Sequence, residues 1–152
     1  MIEGLVSIIT PCYNGSRYIA ETIESVIKQT YLKWEMIVVD DGSKDNSADI
    51  VRNYSKKDNR IMLVQQKNAG SAAARNNGIR RAKGQYIALL DADDLWEPEF
   101  LEKQIKFMKE KDAVCVFCSY KSIDEKSVLF LLQTFQKNIP KRVRIIKKGA
   151  SV

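Results

Sequence analysis

The residues best suited to chemistry in this sequence are carboxylates. Asp91-Ala-Asp93-Asp94 places three acids within four positions, and Asp40-Asp41-Gly42-Ser43 places two more beside a glycine. Like charges this close repel unless a cation or hydrogen-bond donors hold them. In a turn, the carboxylates of Asp91 and Asp93 can both reach one centre. Hard oxygen ligands without His or Cys suit Mn²⁺ or Mg²⁺, and such an ion usually keeps waters and takes substrate phosphates as well. A diphosphate would complete the site. Tyr13 offers an aromatic face on which a base can stack, and Asp40 or Asp41 an acceptor for a base N–H. The competing reading has Asp40, Ser43, Asp45 and Asn46 capping the next helix. It accounts poorly for Asp91, Asp93 and Asp94, since only one of the three can be a cap.

Composition removes other chemistries. The chain has 152 residues and no histidine. A Ser-His-Asp triad, a Cys-His dyad, His-ligated zinc and an imidazole base are therefore excluded within it. No G-x-x-x-x-G-K-[ST] loop is present, and no G-x-G-x-x-G follows the first strand, which leaves P-loop and dinucleotide readings weak. The cysteines are Cys12, Cys115 and Cys118, an odd number without a secretory signal, which argues against a disulfide framework. Cys115 and Cys118 fall in an apolar run that reads as a strand, so their sulfurs point to opposite faces and buried, inert thiols are expected.

The elements that must position the acids alternate along the chain. Leu5 to Thr10, Met36 to Val39, Ile61 to Val64, Tyr86 to Leu90 and Ala113 to Phe117 read as strands. Between them run helical patterns: Ile19, Ile23, Val26 and Ile27 after a Ser16 cap; Ile50, Val51 and Tyr54; Ser71 to Ala82, ended by Gly84; and Leu101, Ile105 and Met108, with Pro98 in the first turn. Strands that are continuous apolar runs belong to a parallel sheet covered by helices on both faces. In such a sheet ligands bind beyond the carboxyl ends of the strands, where these acids fall. Right-handed crossovers and convergence of the motifs on one edge predict the strand order 3-2-1-4.

Leu5-Val-Ser-Ile-Ile-Thr-Pro-Cys-Tyr-Asn14, Gln29-Thr-Tyr31, Trp34 to Ser43, Asn68 to Gly78, Gly84 to Asp94 and Pro98 are in the order and at the spacing of a known family. Over residues 4–120 the chain resembles the nucleotide-binding half of the family 2 glycosyltransferases, of Rossmann-like α/β GT-A fold. The resemblance implies a nucleotide-sugar donor, usually UDP-linked, a divalent metal on the Asp-x-Asp turn, and inversion at the anomeric carbon. It implies that Pro11, Tyr13 and Asn14 contact the nucleotide, and that Asp40 and Asp41 read the base. Asn68, Gly70 and Arg75 would close over the nucleotide, Asp91 would be the ribose- or metal-side acid and Asp93 the metal ligand. Asp94 would order the turn instead.

In that family the catalytic base is a carboxylate of an acceptor-binding half that follows the fifth strand. Tyr120 to Glu125 resembles its start and Pro140 to Ile146 faintly its next piece, so residues 1–120 are expected to be the donor-binding domain and 121–152 a basic tail in which the acceptor half is largely missing. Asp94 and Asp124, the latter on an expected β-turn, are the weak candidates for a base. The expectation is a chain that binds donor and transfers little sugar alone, to an unidentified glycan or lipid acceptor of cell-envelope or polysaccharide synthesis. The alternatives are a non-catalytic nucleotide-binding or regulatory module and a phospho-acceptor receiver domain, whose acid pair would stand where Pro11 to Asn14 stands here.

Residues 1–120 carry 17 basic and 17 acidic side chains, whereas 121–152 carry 8 against 2, so the whole net charge of +6 sits in the tail. That distribution argues against nucleic acid as partner. It leaves a solvated face, with peripheral contact to anionic lipid as the alternative. No apolar run approaches the ~18–20 residues that span a bilayer. The expected location is the cytoplasm, at the inner face of the membrane. An exposed sheet edge would favour a homo-oligomer.

Overall fold

The computed structural model describes residues 1–118, 122–123, 129–130 and 144–147. The elements in chain order are β1 (Ile2–Cys12), α1 (Ile19–Ile27), β2 (Trp34–Asp40), α2 (Ser47–Ser55), β3 (Ile61–Gln65), α3 (Ser71–Arg81), β4 (Gly84–Leu89), α4 (Phe100–Glu110), β5 (Cys115–Phe117), β6 (Ser122–Ile123), β7 (Leu129–Phe130) and β8 (Arg144–Lys147). Among the described residues, no helix is long and apolar enough to cross a membrane.

The main sheet has the order β3-β2-β1-β4-β8-β5, and its first four strands are parallel, in the expected order 3-2-1-4. Continuous apolar strands are required because both faces are covered. Val6 and Ile8 of β1 and Met36 and Val38 of β2 join the side chains of α1, α2 and α4 on one face. Ile9, Ile37 and Val39 point the other way, onto Ala74 of α3. Parallel register then carries the ends of β1, β2 and β4 to one edge, where Pro11 pairs with Val39 and Cys12 with Asp40.

Several local expectations are corrected. The sheet is mixed beyond β4: β8 lies between β4 and β5 and runs antiparallel to both. β8 is internal to the sheet, because Ile145 sits opposite Ala88 on one side and Val116 on the other and is 1% exposed. A strand from beyond residue 120 completes the sheet. Ser16 does not cap α1; Tyr18 is its N-cap and no side chain caps it. Pro98 lies outside the first turn of α4, which Glu99 caps, and its carbonyl accepts the Thr30 N–H at 2.9 Å. Cys12 is buried as expected, but Cys115 and Cys118 are only half-buried; all three are free. Asp124 and Glu125 lie outside the described residues.

Gly84 opens β4 rather than breaking α3. Its N–H donates to Ser7 Oγ at 2.8 Å, and Ser7 Oγ donates to Glu35 Oε1 at 2.6 Å, which ties β4, β1 and β2 together at the end of the sheet away from the acids. A Cβ at Gly84 would stand 2.5 Å from the Leu5 carbonyl oxygen and 2.9 Å from the Ser7 nitrogen, both backbone atoms that cannot step aside.

At the opposite end, the loops after β1 and β2 are bonded to each other. Asn14 adopts φ 50°, its N–H donates to Ser43 Oγ at 2.9 Å, and its Oδ1 accepts the Lys44 N–H at 2.9 Å. Gly15 N–H donates to Ser47 Oγ at 2.9 Å and Ser16 N–H to Asp45 Oδ2 at 3.0 Å. Asp45 also accepts from the Ser47 N–H at 3.0 Å, so it serves both the start of α2 and the neighbouring loop. Burial works to raise the Asp45 pKa, but the donors from Ser47 and Ser16 outweigh it and hold the carboxyl far below its ordinary 3.8.

Two outcomes are expected in urea unfolding. Gly84→Ala should cost about 2 kcal/mol, the usual scale of an overpacked core; a loss below ~0.5 kcal/mol would mean that the strands part freely. Asp45→Asn should cost about 1 kcal/mol at pH 7. Because the folded pKa of Asp45 is depressed, its charge contributes fully above the ordinary aspartate value of 3.8 and fades below it. The gap between wild type and variant should therefore be flat from pH 7 to 5 and narrow below pH 4; a gap that stays constant down to pH 2 would contradict this role.

Candidate nucleotide-sugar site

The strand ends enclose a cleft of about 470 Å³. Pro11, Tyr13, Asn14, Asp41, Arg75, Asp91 and Asp93 line it, so the structure brings together seven of the residues singled out in the sequence. Asp40, Asn68, Gly70 and Asp94 are not on its wall. Cys12, Gly15, Tyr18, Ser71 and Ala92 complete the lining.

The two adjacent acids at the end of β2 part company: Asp40 closes the strand and Asp41 follows it. Asp40 is 2% exposed and accepts a 3.3 Å bond from the Ser43 N–H and a 3.4 Å bond from Gln65 Nε2. Asp41 is equally buried but lines the cleft. Its Oδ1 accepts from Gln66 Nε2 at 2.7 Å and the Ala69 N–H at 2.9 Å; its Oδ2 accepts the Gly70 N–H at 2.8 Å. Burial pushes its pKa up, the three donors pull it down further, and the net shift is downward, so Asp41 is ionised in the fold. Asn68 and Gly70 belong to the loop that Asp41 grips, off the cleft wall. Gly70 holds φ 88°, a left-handed value suited to glycine, and serves as N-cap of α3.

α3 then projects Arg75 across the cleft. Its Nη2 lies 2.5 Å from Asp91 Oδ1, just past the end of β4, and both side chains are about one-third exposed. The Asp94 N–H donates to the Asp91 carbonyl at 3.1 Å and closes the acidic turn through the backbone, without the Asp94 side chain. Tyr13 is 51% exposed, leaving an aromatic face open to a ligand.

Of the residues that aim this turn, only Gln29 stands out in the sequence, as part of the family pattern and without this role. Thr22, Ser25 and Gln29 stand at i, i+3 and i+7 along and just beyond α1. Thr22 Oγ1 donates to the Ala92 carbonyl at 2.8 Å, and Ser25 Oγ accepts the Trp96 N–H at 3.3 Å. Gln29 donates through Nε2 to the Glu97 carbonyl at 2.8 Å and accepts the Leu101 N–H at 3.0 Å. A signal was present: polar residues at helical spacing beside the stripe of Ile19, Ile23 and Val26.

Asp91 and Asp93 offer hard oxygen on one wall of an open cleft. Among the described residues no group of three His, Cys, Asp or Glu could hold a metal by itself. Two carboxylates with room beside them fit an Mn²⁺ or Mg²⁺ ion that takes its remaining ligands from a diphosphate and water.

Known proteins share this fold. The model of the Glycosyl transferase family 2 matches residues 7–151. The candidate teichuronic acid biosynthesis glycosyltransferase TuaG of Bacillus subtilis (strain 168) is 48% identical over 119 residues, covering 78% of this chain and 47% of that protein. Glycosyltransferase GlyG of Streptococcus pneumoniae is 43% identical over 125 residues, covering 82% and 42%. The chain therefore spans less than half the length of either relative. S. aureus TarS 1-349, solved in complex with UDP, superposes with a TM-score of 0.66 at 31% identity over 72% of this chain and 33% of that one. The mannosyltransferase PcManGT of Pyrobaculum calidifontis, solved with GDP-Man and Mn2+, gives a TM-score of 0.67 at 29% identity over 75% and 35%. With its strand order, its cleft and a family match over nearly its whole length, the chain belongs to glycosyl transferase family 2.

Proposed function

We propose that the cleft binds a nucleotide-diphosphate sugar, UDP-linked, with Mn²⁺ or Mg²⁺ held on Asp91 and Asp93, and that the family chemistry is an inverting transfer to a glycan or lipid acceptor of the cell envelope. The observation that carries this reading is the meeting, in one cleft, of an open aromatic face at Tyr13, an ionised acceptor at Asp41, a guanidinium at Arg75 and two carboxylates at Asp91 and Asp93. TarS in complex with UDP and with UDP-GlcNAc supports the donor class, and TuaG supports an envelope glycan as product.

Each group has a defined task in this scheme. Tyr13 stacks on the base and Asp41 accepts its N–H, already charged because its own loop holds it so. Pro11 and Asn14 shape the wall beside the base; the left-handed backbone at Asn14 turns that wall back toward α2. Arg75 meets the anionic diphosphate. A divalent ion on Asp91 and Asp93 supplies charge stabilisation for the leaving diphosphate. Binding both reactants in one orientation lowers the barrier by removing the cost of their encounter. An inverting displacement also needs a base on the acceptor side, opposite the leaving group. Asp41, Asp91 and Asp93 are committed to the donor, so the base lies outside this set.

Calorimetry tests the scheme. UDP should bind about tenfold more tightly with Mn²⁺ than with chelator, a difference of about 1.4 kcal/mol. Asp93→Ala should retain the weaker, metal-free affinity and lose the gain. Full metal-dependent affinity in that variant would remove Asp93 from the site, and no UDP binding under either condition would overturn the donor assignment.

A further inference from the structure

The Arg75–Asp91 pair bears on how a cation enters the cleft. A single carboxylate oxygen, Asp91 Oδ1, is 2.5 Å from Arg75 Nη2, and both residues line the cleft. Resting on the reading that Asp91 and Asp93 are the ligands of a hard cation, that ion would have to share this oxygen with a guanidinium or displace it. Arginine does not lose its proton in a protein, so it can leave the carboxylate only by moving. It is not held by Asp91 alone in position: Arg75 rides on α3, whose first residues follow the loop gripped by Asp41.

The two ligands of the cleft therefore treat Arg75 in opposite ways. A divalent cation arriving without nucleotide meets a fixed positive charge on one of its ligands. A diphosphate offers that guanidinium an anion with several acceptor oxygens in bidentate geometry, a stronger partner than one carboxylate oxygen. Drawing Arg75 onto the diphosphate frees Asp91 for the metal. Two events linked through one shared group are coupled, and the coupling is reciprocal.

We propose that Arg75 is an internal counter-ion that keeps Asp91 closed to divalent cations until a nucleoside diphosphate draws it away, so that metal affinity is linked to nucleotide occupancy through this pair. The role is one of positioning and charge, distinct from the diphosphate's own capacity to ligate the metal. Diphosphate ligation alone would raise metal affinity whether or not Arg75 were present; the counter-ion predicts in addition that deleting Arg75 helps the metal when no nucleotide is there.

The test is titration of Mn²⁺ alone into nucleotide-free protein, with free ion read by electron paramagnetic resonance. Arg75→Gln should bind Mn²⁺ about tenfold more tightly than wild type, within the usual 5–150-fold range of such couplings. Arg75→Met, which also fills the space without charge, should do the same. The gain should vanish in the double variant Arg75→Gln/Asp91→Asn. Equal or weaker Mn²⁺ binding by the single variants overturns the proposal, as does a gain that survives loss of Asp91. On the unaltered chain, UDP without metal should shift the Arg75 Nε–Hε resonance; an unmoved resonance at saturating UDP also overturns it. Since the Mn²⁺ titration contains no nucleotide, its failure is separable from a failure to bind UDP.

Discussion

Asp41 is 3% exposed, and a carboxylate so placed must find donors inside the fold. It finds three, and all lie in the segment that follows β3. One buried charge thereby shapes the loop, sets the left-handed turn at Gly70 and fixes where α3 begins. The position of Arg75 across the cleft descends from that same contact. Gln66 extends the hold, since its Oε1 accepts from Asn77 Nδ2 at 2.6 Å and so bonds the loop to the middle of α3. Asp45 repeats the device between the loops after β1 and β2. The strand ends are thus ordered by satisfying charge from within, and the cleft is what remains open between loops so ordered.

The acidic turn after β4 is held differently. Neutral side chains on and beyond α1 reach its backbone, from Thr22 at Ala92 to Gln29 at Glu97 and Leu101. This leaves the Asp91 and Asp93 carboxylates uncommitted to the scaffold, apart from the Arg75 contact. A turn fixed through its carbonyls and N–H groups can offer its charged side chains to a ligand, whereas Asp45 is spent on folding. The division explains how one sheet edge can carry five or more acids without all of them being site residues. The apolar part of α1 serves the same end: Ile19, Ile23 and Val26 anchor the helix in the core while the adjacent polar positions aim the turn.

The far end of the sheet shows the complementary constraint. Gly84, Ser7 and Glu35 join β4, β1 and β2 through short bonds and leave no room for a side chain at Gly84. Locking the three strands there holds their register, and register is what brings Cys12, Asp40 and the end of β4 to one edge. Stability at one end and geometry at the other are two consequences of the same parallel pairing.

Much of this was legible in the sequence by itself. Apolar runs ending in polar turns determined the first four strands, their parallel pairing and order, and the edge where Tyr13, Asp41, Asp91 and Asp93 meet, because burial on both faces leaves a strand few other compositions. Motif spacing pointed to the family. Only the tertiary structure distinguished Asp41 from Asp40, since adjacent residues of a strand end point to opposite sides and the donors that claim each come from distant segments. Only it placed β8 inside the sheet, because a four-residue strand such as Arg144–Lys147 reads the same at an edge or between neighbours until Ile145 finds Ala88 and Val116. The contact of Arg75 with Asp91 joins a helix to a strand end across 16 residues, and no local pattern encodes which carboxylate a guanidinium will reach. Local chemistry decides what each segment can be; long-range packing decides which charges are left for a ligand.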